Sequence, residues 1–152
     1  MRVFLDANVL FSATLSTKSK AYELLELVHP GNHELLTPVY AVVEAERNLL
    51  TKAAHAVYRL PAILRAITVV GPPPARLLAW AERQGLPGKD VPILAAAAAA
   101  GADLLITGYR RHFGHLFGRT LEGVTVLGLA EALRQLLGTM GTERPEQRQD
   151  PS

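Results

Sequence analysis

Three of the four aspartates in this 152-residue chain border apolar segments, where an unpaired carboxylate is costly to bury. Asp6 ends the first apolar run, and Asp90 precedes a later one, where the positive end of a helix dipole would favour its charge. For each of these two residues, an N-cap of the following helix is the simpler interpretation. Asp103 stands at the entry of another apolar run and is interpreted as structural.

Two glutamates, Glu44 and Glu46, lie in a segment that we predict to be helical. Because they are two positions apart, their side chains must point to different faces of the helix. Two apolar stripes fit this segment, namely Val42/Ala45/Leu49 and Val39/Val43/Leu50. The first stripe turns Glu44 toward the sheet and the second turns Glu46 toward it, so the spacing alone leaves the choice open.

Asp6, Asp90 and one of these glutamates have a definite chemical use if they converge. Carboxylate oxygens are the ligands that Mg²⁺ and Mn²⁺ prefer in proteins. A cation held in this way can activate water and neutralise a phosphate during its transfer. The segment from Tyr109 to Arg119 adds a basic surface without any acid, formed by Arg110, Arg111, His112, His115 and Arg119. An acidic centre with a cationic rim is typical of a site that cleaves phosphodiesters.

Short apolar strands that alternate with helices must position these groups. The predicted strands are 2–5, 35–36, 68–70, 104–106 and 124–127. The predicted helices are 8–15, 21–28, 38–50, 53–67 with a break at Pro61, 75–84, 91–100 and 129–137. Thr37 is the expected N-cap of the third helix and Pro38 its first residue. This order predicts an α/β fold with a parallel sheet covered on both faces and a ligand site at the carboxyl ends of its strands.

The composition is that of one folded domain. Hydrophobic residues make up 49% of the chain and charged residues 20%, which excludes an intrinsically disordered chain. The absence of cysteine excludes disulfides, zinc–thiolate sites and a cysteine nucleophile. The net charge of +2 is too small for a protein that coats nucleic acid by charge alone. We expect the folded domain to span residues 1–138 and the polar tail, residues 139–152, to be disordered.

Membrane insertion and secretion are not expected. Asp6 interrupts the first apolar run, so no leader is recognisable, and the uncharged stretch from Val91 to Ala102 is too short to cross a bilayer. The chain is therefore predicted to be cytoplasmic.

Three segments resemble PIN domains and occur in the family's order. They are FLDANVLFSATLS (4–16), TPVYAVVEAERNLL (37–50) and KDVPILAAAAAAGADLLITGYRRHF (89–113). The resemblance extends from residue 2 to about residue 127, and its most specific part is the run from Asp90 to Phe113. It implies a three-layer α/β/α sandwich with a mainly parallel central sheet and a metal-dependent ribonuclease activity. It also implies that the protein is a toxin of a toxin–antitoxin pair, with RNA as substrate, an antitoxin as partner and a homodimeric state.

The same resemblance implies roles for individual residues. Asp6, Glu44 and Asp90 would be catalytic and would bind Mg²⁺ or Mn²⁺. Asn8 would support Asp6 or the water on the metal, and Thr107 would lie near the metal or the substrate. The arginines of the basic segment would bind the RNA backbone, and they are Arg110, Arg111 and Arg119.

Tyr109 departs from the family pattern, because it occupies the position of the fourth acid in the family's T-G-D motif. A phenol stays protonated at neutral pH and cannot replace a carboxylate toward Mg²⁺. The site loses one negative charge, so one-metal activity, slow activity and no activity are all compatible with the sequence. An alternative role for the Tyr109 ring is to stack on a nucleobase.

Two other functions are compatible with the sequence. The chain would be a binding protein if the fold kept its affinity for RNA or a partner without turnover. It would be a small-molecule phosphohydrolase if Asp6, which follows an apolar strand, were the nucleophile that attacks phosphate monoesters. However, position 8 is Asn8, so the D-x-D motif of the haloacid-dehalogenase phosphatases is incomplete.

Overall fold

The computed structural model describes residues 1–28 and 33–142, and its strands form one six-stranded sheet. The strands are β1 Arg2–Leu5, β2 Glu34–Pro38, β3 Ile67–Val70, β4 Leu104–Ile106, β5 Thr120–Leu121 and β6 Val124–Leu127. Their order is β3-β2-β1-β4-β6-β5, and all neighbours are parallel except β5 and β6, which are antiparallel. The mainly parallel sheet predicted from the sequence is therefore confirmed.

Helices cover both faces of this sheet. They are α1 Ala7–Leu15, α2 Lys20–Val28, α3 Val39–Lys52, α4 Leu60–Leu64, α5 Ala75–Glu82, α6 Val91–Ala99, α7 Arg110–Phe113 and α8 Leu129–Thr142. Val3, Phe4 and Leu5 of β1 are all fully buried. Because successive strand residues point to opposite faces, this burial requires a helical layer on each side. The three-layer α/β/α sandwich is confirmed.

The strand order places a topological switch point at β1. From β1 the chain moves outward through β2 and β3, and β4 then returns to the other side of β1. Ligand sites in open α/β sheets lie in the crevice at the carboxyl ends of the two strands that flank such a point. Asp6 follows β1 directly and Thr107 follows β4 directly, so both residues enter this crevice.

The alanine-rich helix α6 contributes to the core without large side chains. Ala95, Ala96 and Ala97 are almost completely buried, and α6 packs against α5 and contacts β2. Small side chains allow the helix axis to approach its neighbours closely. Ala95, Ala96 and Ala97 therefore serve close packing of the helix in the core.

The predicted start of the third helix, with Thr37 as N-cap and Pro38 as first residue, is wrong. Both residues belong to β2, and α3 begins at Val39 with no side chain capping it. The Thr37 hydroxyl instead donates to the Leu5 carbonyl oxygen of β1 at 2.8 Å. A buried hydroxyl needs a partner, and the neighbouring strand supplies one that the sequence pattern does not reveal.

Several boundaries differ from the predicted ones. The predicted helix 53–67 is a 3-10 turn at Ala54–Arg59 followed by α4, in which Pro61 occupies the first turn, while Ile67 already belongs to β3. The sequence pattern does not predict α7 and β5, which are short. The last helix, predicted as 129–137, continues to Thr142. Of the predicted disordered tail, residues 143–152 lie outside the described residues.

Candidate metal centre

Asp6 occupies the switch point and is 2% exposed. Its Oδ1 accepts a hydrogen bond from the Ala7 backbone nitrogen at 2.6 Å, which confirms the predicted N-cap of α1. Its Oδ2 accepts a hydrogen bond from the Thr107 hydroxyl at 2.9 Å. Burial raises the pKa of Asp6 to about 6; the two hydrogen bonds oppose this shift, and the charges of Asp90 and Glu44 add to it. Asp6 therefore shares its surroundings with the other two predicted ligands.

The loop after β4 is fastened to β1 and α1. Besides donating to Asp6, the Thr107 hydroxyl accepts a hydrogen bond from the Tyr109 backbone nitrogen at 3.1 Å. Asn8 Oδ1 accepts a hydrogen bond from the Gly108 backbone nitrogen at 3.0 Å. A Cβ at Gly108 would stand 3.2 Å from Asn8 Nδ2, so only glycine fits this approach without displacement. The hydrogen bond of Asn8 is thus with the loop and not with Asp6.

Helix α3 directs Glu44, and not Glu46, toward this loop. Ala41, Ala45 and Leu49 form its buried face, while Val39, Val43 and Leu50 are exposed. The stripe through Ala45 and Leu49 is therefore the one that packs on the core. Glu44 is half-buried and its Oε2 accepts a hydrogen bond from the Tyr109 hydroxyl at 3.0 Å, whereas Glu46 is exposed.

Asp90 ends a 3-10 turn at Gly88–Asp90 and is 3% exposed. It stands at the predicted N-cap position of α6, but its side chain makes no hydrogen bond that caps the helix. The buried Oδ2 lies 2.9 Å from His112 Nδ1, but the geometry is not that of a hydrogen bond. Burial raises the pKa of Asp90, the charges of His112 and Lys89 oppose this, and the Glu44 charge adds to it.

Tyr109 lies close to these carboxylates. Its ring stacks on His112 with centroids 5.1 Å apart and planes 28° apart, and Lys89 Nζ lies 5.7 Å from the ring centroid. Burial raises the pKa of Tyr109, and the hydrogen bond and negative charge of Glu44 raise it further, as do the charges of Asp6 and Asp90. The phenol is therefore a hydrogen-bond donor to the acidic centre and not an additional anion.

The predicted cationic rim is exposed. Arg110, Arg111 and Arg119 all have accessible side chains, and the Arg110 guanidinium lies 5.5 Å from the centroid of the Phe117 ring. His115 is directed elsewhere, since its Nε2 lies 2.9 Å from the Gln84 carbonyl oxygen. Sequence reasoning missed Lys89, whose only signal was its place immediately before Asp90.

The donors present fit a hard divalent cation in their chemistry. Asp6, Glu44 and Asp90 offer carboxylate oxygens, and the buried Asp90 Oδ2 has no hydrogen-bond donor of its own. However, no three or more His, Asp or Glu side chains in the described ranges are arranged to hold a metal ion together. Each of the three carboxylates is instead turned toward a protein group: Thr107 for Asp6, Tyr109 for Glu44 and His112 for Asp90.

The model of a known family matches the part of the chain that carries these residues. The model of the PIN domain family matches residues 2–111, which include β1, α3, Asp90 and the loop after β4. The chain belongs to the PIN domain family. No curated protein matches the sequence of this PIN domain.

Solved structures resemble this PIN domain in fold. PAE2754 from Pyrobaculum aerophilum has a TM-score of 0.64 at 20% identity, over 91% of this chain and 90% of that chain. VapBC2 from Rickettsia felis, bound to a DNA fragment from its promoter, has a TM-score of 0.63 at 17% identity, over 84% and 98%. VapBC-1 from nontypeable Haemophilus influenzae has a TM-score of 0.58 at 15% identity, over 86% and 99%.

The described part of the chain contains no helix long and apolar enough to cross a membrane.

Proposed function

We propose that this PIN domain is an endoribonuclease that depends on Mg²⁺ or Mn²⁺ and hydrolyses phosphodiesters in single-stranded or looped RNA. One observation carries the proposal: Asp6, Glu44 and Asp90 come from three separate elements, yet the charges of Asp90 and Glu44 raise the pKa of Asp6, and the charge of Glu44 also raises the pKa of Asp90. Burying carboxylates close to one another lowers the stability of the fold. A site that binds a cation and a phosphate accounts for the presence of these carboxylates despite that loss.

The three carboxylates are the proposed metal ligands, and the residues around them hold these ligands in place. Thr107 fixes the orientation of the Asp6 carboxylate by donating to its Oδ2. Asn8 keeps the loop after β4 against α1 through the Gly108 nitrogen. A bound divalent cation would activate the attacking water and stabilise the charge that develops on the phosphate.

The arginines beside the centre are proposed to position the RNA. Arg110, Arg111 and Arg119 are exposed, and no acid interrupts the segment that contains them. Guanidinium groups bind phosphate oxygens through paired hydrogen bonds, so these side chains would hold the backbone on either side of the scissile bond.

We further propose a small antitoxin protein as partner and a homodimeric state. The likeness in fold to VapBC-1 and VapBC2 supports the partner, and the homodimer is what membership in the PIN domain family implies. Coexpression with the product of an adjacent small gene, followed by size-exclusion chromatography with light scattering, tests both. A stable complex that suppresses RNA cleavage supports the antitoxin, and a chain that elutes alone as a monomer contradicts the homodimer.

RNA cleavage in the presence of Mn²⁺ tests the activity. Mixed RNA oligomers are incubated with the wild type, Glu44→Gln and Glu46→Gln. The last variant is the matched control, because it removes an equal charge from the same helix on its exposed side. Cleavage by the wild type and Glu46→Gln but not by Glu44→Gln supports the proposal. Cleavage that survives Glu44→Gln contradicts the role given to that residue.

The Tyr109–Glu44 hydrogen bond favours a second candidate, a PIN domain that binds RNA or a partner without turnover. A protein donor already occupies one of the three proposed ligands. RNA retention by the wild type without cleavage at any Mn²⁺ concentration would support this function. Release of phosphate from monoesters alone would instead indicate a small-molecule phosphohydrolase.

A further inference from the structure

The side chains of Tyr109 and His112 each contact one of the three proposed metal ligands. The Tyr109 hydroxyl donates to Glu44 Oε2 at 3.0 Å, and His112 Nδ1 lies 2.9 Å from Asp90 Oδ2. The two rings also stack on each other, with centroids 5.1 Å apart. Tyr109 and His112, named here the ring pair, therefore form one unit that contacts both carboxylates.

The backbone holds the ring pair in place. The Tyr109 nitrogen donates to the Thr107 hydroxyl, and the His112 nitrogen donates to the Tyr109 carbonyl oxygen at 3.1 Å in the first turn of α7. Thr107 in turn donates to Asp6 Oδ2. The ring pair thus has its own support and does not depend on a bound cation for its position.

We propose that the ring pair is an internal competitor for the divalent cation: Tyr109 holds Oε2 of Glu44 and His112 lies against Oδ2 of Asp90, and both rings must withdraw before these two oxygens bind metal. The inference rests on the proposed function in taking Asp6, Glu44 and Asp90 as the ligands. It explains why acids that act on one another electrostatically are not arranged as a ligand set in the described residues.

The competition has a direction that can be measured. A hydrogen bond to a charged acceptor is stronger than one between neutral groups, so breaking the Tyr109–Glu44 bond weakens cation binding. Removing the hydroxyl while keeping the ring should therefore tighten Mn²⁺ binding by roughly tenfold.

The experiment is a Mn²⁺ titration in which electron paramagnetic resonance measures the free ion, without RNA. The proteins are the wild type, Tyr109→Phe, Glu44→Gln and the double variant Glu44→Gln/Tyr109→Phe. Tyr58→Phe is the matched control, since Tyr58 is 71% exposed. We expect Tyr109→Phe to bind about tenfold more tightly than the wild type, and this gain to vanish when Glu44 is replaced. Tyr58→Phe should bind as the wild type does.

His112→Phe provides a second and independent variant. It keeps a ring for stacking but removes the nitrogen beside Asp90, so it should also tighten Mn²⁺ binding. Circular dichroism verifies that each variant is folded. If Tyr109→Phe is folded and binds Mn²⁺ no more tightly than the wild type, the proposal is wrong. It is equally wrong if the gain persists in the Glu44→Gln background, or if neither the wild type nor Tyr109→Phe binds Mn²⁺.

Failure of the ribonuclease proposal would look different. A tenfold gain in Mn²⁺ affinity without RNA cleavage by any variant would support the ring pair and contradict the enzymatic function. Cleavage by the wild type together with unchanged affinity in Tyr109→Phe would support the enzyme and contradict the ring pair.

Discussion

The two ends of the parallel strands, called here the amino edge and the carboxyl edge of the sheet, hold their carboxylates in opposite ways. At the amino edge, exposed Asp103 accepts a hydrogen bond from the Arg2 backbone nitrogen at 2.7 Å, and the Arg2 guanidinium pairs with exposed Glu34 at 2.5 Å. At the carboxyl edge, Asp6 and Asp90 are almost completely buried and their pKa values are raised by that burial. Acids that are exposed and paired with a donor serve structure, whereas acids that are buried within reach of one another's charge cost stability and indicate a site.

The largest expected effect is a difference in RNA cleavage between a variant at the carboxyl edge and a variant at the amino edge. Asp6→Asn should lower RNA cleavage by more than about 100-fold, because even the partners of metal ligands typically contribute 10–100-fold to metal affinity or activity. Asp103→Asn removes the same charge from the opposite edge and should leave the rate within about twofold. Initial rates on one RNA oligomer at saturating Mn²⁺ measure both. Equal losses in the two variants would contradict the distinction between the edges.

A second prediction concerns the stability of the metal-free protein. Burial raises the pKa of Asp6 from 3.8 to about 6, so the folded protein binds this proton more tightly than the unfolded chain. The stability that this gives is present below pH 4 and is lost as the pH rises through 6. Asp6→Asn, which carries no charge, should therefore be more stable than the wild type at pH 7.5, by up to about 3 kcal/mol.

Urea unfolding with a chelator present, at pH 4 and at pH 7.5, measures this difference. The advantage of Asp6→Asn should shrink toward zero at the lower pH, where the wild-type carboxyl is protonated as well. Asp103→Asn should show no such gain at pH 7.5. A constant difference at both pH values would contradict the assigned pKa.

Restoring the fourth acid sharpens the comparison further. Tyr109→Asp removes the hydroxyl that occupies Glu44 and adds a carboxylate beside it, so Mn²⁺ should bind more than about tenfold more tightly than to the wild type. The RNA cleavage rate should rise with it. Calorimetric titration of Mn²⁺ into the wild type, Tyr109→Phe and Tyr109→Asp ranks the two contributions. An aspartate variant that binds no better than the phenylalanine variant would mean that the new carboxylate does not reach the cation.

The smallest expected effect concerns the cationic rim. Arg111→Ala should weaken RNA binding modestly and reduce the slope of log Kd against log salt by roughly 0.7, the value for one lost phosphate contact on a single strand. Lys52→Ala removes a charge from the far end of α3 and should leave the slope unchanged. Fluorescence anisotropy with a labelled RNA at several salt concentrations measures both. Equal slopes for Arg111→Ala and the wild type would exclude Arg111 from the interface.

The central strands could be predicted because their sequences permit few alternatives. The apolar runs that become β1 and β4 are buried on both faces, and such runs between polar residues are typical of parallel strands. The short elements could not be predicted in this way. β5 has two residues, and its partner β6 provides the pairing that defines it. The place of Thr37 could not be predicted either, because its hydroxyl bonds to a strand that is distant in sequence.

The candidate site shows the same limit. The position of Asp6 could be predicted from its place after β1, since strand order brings the carboxyl ends of β1 and β4 together. The choice between Glu44 and Glu46 required knowledge of which face of α3 packs on the core. The contacts of Tyr109 and His112 with the acids depend on side-chain directions in a short loop helix, which periodicity does not encode.

Helix α6 links a chemically inert segment to the geometry of the acids. Asp90 directly precedes this helix, and Ala95, Ala96 and Ala97 set how deeply the helix sits. A larger side chain at Ala96 would displace the helix from the core, and Asp90 would move with the helix relative to Asp6. Natural variation should therefore be restricted along this alanine run as strictly as among the acids themselves.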